Sequence, residues 1–130
     1  MSIKKTDAEI EMEEQVEQAL EDMTEGAKFK LRRPVMYNGE EITELTFDFE
    51  KLSGDDQLKI EAELAARNIQ IVTTYSSGEF LIRMARNACE QSVNVDFFRK
   101  LSIVDFNKIE SRARFFLLGL APQTKSDGAQ

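Results

Sequence analysis

The chain has 130 residues, 42% of them apolar, with no His, no Trp, one Cys and a net charge of −7. Without histidine it can build neither a Ser-His-Asp nor a Cys-His catalytic arrangement, nor a Cys/His zinc site. The single Cys89 excludes an intramolecular disulfide framework, and no apolar run approaches the ~20 residues that a membrane span needs. The length fits one domain, and the N-terminus lacks the apolar core of a signal peptide, so the expectation is a soluble, cytoplasmic protein.

The charge is concentrated. Residues 1–27 hold nine acids against Lys4 and Lys5, while the remainder is balanced at 15 of each sign. That pattern argues against general nucleic-acid affinity, which needs clustered Lys and Arg. Ile10, Val16–Leu20 and Met23 mark only a thin, broken helical stripe, ending at Gly26. Residues 1–27 therefore read as an acidic, partly disordered arm. A sharper reading makes it a segment that orders on a partner or covers the protein's own binding surface.

A β-hairpin is predicted over about 28–49, around Asn38-Gly39. Phe29, Leu31, Arg33 and Val35 share one face of the first strand, and Thr43, Leu45, Phe47 and Phe49 one face of the second. A two-residue loop would set these rows on opposite sides of the ribbon. A three-residue loop, Tyr37-Asn38-Gly39, pairs Leu31 with Leu45 and Phe29 with Phe47, and sets Arg32 against Glu44. Each apolar cross-strand pair contributes roughly 0.2–1 kcal/mol, which favours the three-residue loop with its bulge. Pro34 lacks an N–H and marks an edge strand.

Helices follow. Leu52 to Asn68 opens on Ser53 or Asp55 as cap, with Leu58, Ala62 and Ala65 as its stripe, Ile60 and Leu64 beside them, and Asp55–Lys59 and Glu63–Arg67 as i,i+4 pairs. IQIVTTY, from Ile69, is β-branched and reads as either extended chain or loop. A second helix over about Ser77 to Gln91 buries Leu81, Met84, Ala85 and Ala88 and turns Arg83, Arg86 and Glu90 outward. A short helical turn lies near Asp96–Lys100. The last helix starts at Ser102, where Asp105 resembles the return partner of a capping box, and carries Phe106, Ile109, Ala113, Phe116 and Leu120 before Gly119 and Pro122 stop it. The fold class is α+β, mainly α: one hairpin and three to four helices in a single globular domain over 28–120, then a disordered tail over 121–130.

No catalytic constellation emerges. Asp55 and Asp56 are adjacent carboxylates, but the pattern fits a helix cap with first-turn acids, and no second acid cluster has matching spacing for a hard cation. Arg83, Arg86, Arg112 and Arg114 are a candidate anion patch, outweighed by nearby acids. Cys89 reads as a small core residue. The expectation is a non-enzymatic protein without cofactor or metal. What stands out is apolar excess near the end: Phe97 and Phe98, then Phe115, Phe116, Leu117, Leu118 and Leu120 spread around one helix. One side of that helix can enter the core. The other must meet the hairpin, a second subunit or a client. The candidate partner-binding residues are Phe97, Phe98, Phe106, Phe115 and Leu118.

The run RRPVMYNGEEITELTFDFEKLSGDD resembles the opening of the tail assembly chaperones of Mu-like and related contractile-tailed phages, at Pro34, Tyr37, Asn38, Gly39, Ile42, Leu45, Leu52, Gly54 and Asp55. LSIVDFNKIESRARFFL is similar to that family's closing pattern, at Leu101, Asp105, Ile109 and Phe116. The resemblance spans about Leu31 to Leu118 and rests on structural residues; the acidic arm is longer than the family pattern. It implies a small protein of the host cytoplasm, absent from the mature virion, that keeps the tape measure protein soluble and recruits tail tube subunits. It also implies a frameshift-extended form of the same chain as a partner. Self-association is left open. The alternatives are a structural tail protein of the virion and an acidic DNA-mimic inhibitor; the latter needs acids spread over a folded surface, whereas here they crowd into the arm.

Overall fold

The computed structural model describes residues 6–14 and 28–120. Its fold is α+β and mainly helical. In chain order come strands β1 (Lys28–Tyr37) and β2 (Glu40–Thr46), a 3₁₀ turn (Phe49–Lys51), α1 (Gly54–Ala66), a second 3₁₀ turn (Thr74–Ser76), α2 (Gly78–Ala88), α3 (Val95–Arg99) and α4 (Ile103–Leu117). Ahead of them, residues 7–14 are helical and exposed throughout. Thr6 and Glu9 open that helix with a reciprocal capping box: the Glu9 N–H donates to Thr6 Oγ1 (3.1 Å) and the Thr6 N–H to Glu9 Oε1 (2.9 Å). Of the stripe expected in the arm, only Ile10 is described, and it is 41% exposed. The rest of the arm, its end at Gly26, the stop at Pro122 and the 121–130 tail lie outside the described residues.

The hairpin corrects the predicted register. The loop has two residues: Asn38 (φ 53°) and Gly39 (φ 80°) are both left-handed, and Tyr37 pairs with Glu40. This is the turn whose twist matches that of the strands, and it prevails at the tip. The bulge lies mid-ribbon instead, where Leu31–Pro34 oppose Thr43 alone. Beyond it Phe29 pairs with Leu45 rather than Phe47, and Lys30, not Arg32, meets Glu44. The shift is odd in number, so it undoes the inversion that a two-residue loop would impose. Phe29, Leu31, Val35, Leu45 and Phe47 all become buried, while Arg33, expected on the apolar face, and Thr43 are exposed.

A buried carboxylate holds the bulge. Asp105, in the first turn of α4, is 1% exposed. The Arg32 N–H donates to its Oδ1 (3.1 Å) and Oδ2 (2.9 Å), and the Arg33 N–H to Oδ2 (3.3 Å). Pro34, next in line, has no N–H to satisfy. Only half of the capping box expected here forms: the Asp105 N–H donates to Ser102 Oγ (3.1 Å), while the Asp105 carboxylate is spent on the hairpin. Two turns further along, Arg112 donates from Nη2 to the Lys28 carbonyl (2.9 Å), its guanidinium 4.9 Å from the centre of the Phe29 ring. α4 thereby covers the outer edge of β1.

The helices pack around α2. Phe80, Leu81, Ile82, Met84, Ala85 and Ala88 are all buried, and so is Arg83 at 1% exposure. The expectation that Arg83 points outward is therefore corrected: α2 touches α1, α3 and α4, leaving almost no solvent side. Asn94 caps α3, and its Phe97 and Phe98 are fully buried in edge-to-face contact at 5.5 Å, with Tyr37 edge-on to Phe97 at 5.5 Å. α1 also presents a different face from the one predicted. Ile60 and Leu64 are buried, whereas Leu58 (65% exposed), Ala62 and Ala65 face outward. The i,i+4 pair of bulkier side chains wins the core, as it removes more apolar area from water than Ala62 and Ala65 could.

Asp105→Ala leaves two main-chain N–H groups without their acceptor and is expected to cost about 2–4 kcal/mol in urea unfolding. Asp105→Asn, which keeps one acceptor oxygen, should cost less. Equal, sub-1 kcal/mol losses for both would show that the clamp contributes little.

Candidate partner-binding surface

The carboxylates and arginines singled out in the sequence belong to the scaffold. Ser53 and Asp56 cap α1 reciprocally, with the Ser53 N–H donating to Asp56 Oδ2 (2.9 Å). Asp55 pairs with Lys59 at 3.0 Å on the open surface and raises the lysine's proton affinity. Among the described residues no group of three or more His, Cys, Asp or Glu side chains converges to hold a metal ion. Burial pushes the Cys89 thiol up to about 11, leaving little thiolate at neutral pH.

The four arginines do not form one patch. Arg112 lies at the base of the hairpin, and Arg114 donates from Nε to the Tyr75 carbonyl (2.9 Å). Arg83 and Arg86 converge on Glu63 of α1, with Arg83 Nε at 2.8 Å and Arg86 Nη2 at 3.0 Å. Glu79 accepts from Arg83 (2.6 Å) and Arg99 (3.2 Å). The network compensates the charge that α2 carries into the core. Hydrogen bonding from Arg86 leads in holding the Glu63 carboxyl down at about 2, against the opposing effect of its partial burial, with Arg83 adding to the pull. Glu79 is lowered chiefly by Arg83. Burial pulls Arg83 down, but its two carboxylate partners outweigh that and raise it overall.

The five residues predicted to meet a partner divide. Phe97 and Phe98 are at 0% exposure and present no surface, because α3 is too short to stand without burying both rings. Phe106 and Phe115 are half-buried, and Leu118 is 45% exposed. Phe116 turns inward to stack on Phe49 at 5.5 Å, which in turn stacks on Phe47. Leu117 also packs against the core, so what remains accessible at the end of α4 is Phe115, Leu118 and Leu120, the last 59% exposed. Gly119 (φ 73°) closes the helix; its N–H donates to the Phe116 carbonyl (3.0 Å) and that of Leu120 to Phe115 (2.8 Å). This paired closure ties the main chain at Leu120 back to the last turn of α4. Ile103 (76% exposed) and Val72 (98%) are exposed apolar residues that periodicity did not single out. Val72 sits in the one run whose conformation the sequence left undecided.

Comparison with protein-family models, curated proteins and solved structures finds no match for this chain.

The Glu63 network ties stability to pH with a definite sign. A carboxyl whose folded value lies below its unfolded one stabilises above about 4.5, and the gain fades as pH falls towards 2. Glu63→Gln should therefore cost up to about 3 kcal/mol at pH 7, measured by urea unfolding, with the difference from wild type shrinking steadily below pH 4.5. A difference that stays constant down to pH 2 would remove the ionic explanation.

Proposed function

We propose that the protein is a phage tail assembly chaperone, which binds the tape measure protein and recruits tail tube subunits in the host cytoplasm without entering the mature virion. It acts without catalysis, by apolar contact. The observation that carries the reading is the end of α4, where Phe115 is half-buried and Leu118 and Leu120 are exposed, while Phe116 and Leu117 pack against the core. A surface of this kind suits the apolar stripe of an amphipathic helical client. The resemblance of Leu31–Leu118 to the chaperone pattern supplies the biological context. The residues that carry it have structural work to do: Asn38 and Gly39 make the turn, Gly54 and Asp55 open α1, and Asp105 clamps the bulge. A docking chaperone needs such a frame and a soluble charge balance, which the acidic arm supplies.

Co-expression with tape measure segments tests the surface. Leu118→Asp and Leu120→Asp, both at exposed positions, should preserve the helical circular dichroism yet weaken capture of the segments at least about tenfold. Unchanged capture by both folded variants would place the client elsewhere.

A further inference from the structure

The hairpin and α4 meet along a seam that is rich in positive charge. At one end the Arg32 and Arg33 N–H groups donate to Asp105, and at the other Arg112 donates to the Lys28 carbonyl, so β1 runs antiparallel to the helix. Lys108 follows Asp105 by three residues and precedes Arg112 by four, which puts it on the same side of α4, between the two contacts. Lys28, Lys30, Arg32, Arg33 and Lys108 are all exposed. Among the described residues none of the five is in an ion pair, although Lys30 stands across the ribbon from Glu44. The acids of α4 are engaged elsewhere: Asp105 is buried beneath the two amides, and Glu110 pairs with Arg114 at 3.7 Å.

The opposite charge is tethered to this seam. The helix of residues 7–14 carries Asp7, Glu9, Glu11, Glu13 and Glu14 and no base, and all of it is exposed. Residues 15–27 join it to Lys28, at the Arg112 end of the seam. We infer that the 7–14 helix docks along the β1–α4 seam of its own chain, carboxylates towards Lys28, Lys30, Arg32, Arg33 and Lys108. Ion pairing at a wet surface buries little, in keeping with the exposure of both partners.

Charge and reach select this occupant. Beyond residue 27 the chain is balanced at 15 of each sign, so an acidic segment gains nothing from the domain as a whole. Only the clustering of bases along the seam, opposed by Glu44 alone on the facing strand, attracts it. A tether of residues 15–27 spans at most about 45 Å. The strand it must follow, 28–33, extends only about 20 Å, and the 7–14 helix about 12 Å. Tethering holds the helix at an effective concentration on the order of millimolar. An acidic partner or a nucleic acid would have to displace it while approaching a chain of net charge −7. Exposed pairs are individually weak, so the contact depends on several together and fades with salt. It is independent of any client at the end of α4.

A nitroxide label on the full-length Ala8→Cys variant tests the contact, since Cys89 is buried and does not compete for the label. At about 0.02 M salt, where screening extends roughly 20 Å, the Lys30, Arg33 and Lys108 amide resonances should broaden at least about twofold relative to the reduced label. At about 0.5 M salt they should recover. Lys30→Glu/Arg33→Glu/Lys108→Glu in the labelled chain should abolish the low-salt broadening while the fold, read by circular dichroism, is kept. Lys108→Glu alone, at an exposed helix position, should already reduce it, and Lys59→Glu on α1 should leave it unchanged. Labelled chain mixed with isotope-enriched, unlabelled chain should show no broadening, which separates the chain's own arm from a neighbour's. Low-salt spectra without broadening at the seam, broadening that survives high salt or the charge reversals, or broadening carried between molecules would each overturn the assignment.

Discussion

A two-stranded ribbon does not hold itself together in water, and here its position depends on one buried carboxylate. Asp105 reaches across from α4 and accepts the Arg32 and Arg33 amides at the point where the ribbon loses its regular pairing. The bulge and the clamp need each other. Without the bulge, the tight Asn38-Gly39 turn would send one apolar row to solvent; without the clamp, the bulge would leave main-chain donors unsatisfied beside the core. With both in place, Phe29, Leu31, Val35, Leu45 and Phe47 cover the helices as a single sheet face.

The second constraint is α2. A helix enclosed on nearly every side should be apolar all round, yet this one carries Arg83 inward. The charge is tolerated because α1 supplies Glu63 and the first turn of α2 supplies Glu79, both at hydrogen-bonding distance. The same demand explains which face of α1 turns inward. Glu63 must reach Arg83 and Arg86, so Ile60 and Leu64 on its flanks enter the core, and Leu58, Ala62 and Ala65 are left outside.

These two anchors fix the helices and leave Phe115, Leu118 and Leu120 partly or largely exposed at the end of α4, on a helix closed by Gly119 and suited to meet another helix.

Much of the fold could be read from residue order alone. The place of the turn around Asn38-Gly39, the caps at Ser53 and Ser102, and the left-handed stop at Gly119 are local, because the partners lie within a few residues and the backbone geometry is fixed by side-chain type. The absence of histidine and the crowding of acids into residues 1–27 were likewise set by composition. What lay beyond reach depended on distance along the chain. Asp105 meets residues more than seventy positions away, so the bulge could not be located from the hairpin's own pattern, and the competing loop lengths looked separable only at the turn. Phe97 and Phe98 looked like excess until α3 folded them against Tyr37, and Arg83 looked solvent-facing until Glu63 arrived from another helix. Burial is a property of what covers a residue. The sequence by itself determined which segments turn, cap and coil; only the tertiary structure decided which apolar side chains remain for a partner, because that choice is made by neighbours contributed from elsewhere in the chain.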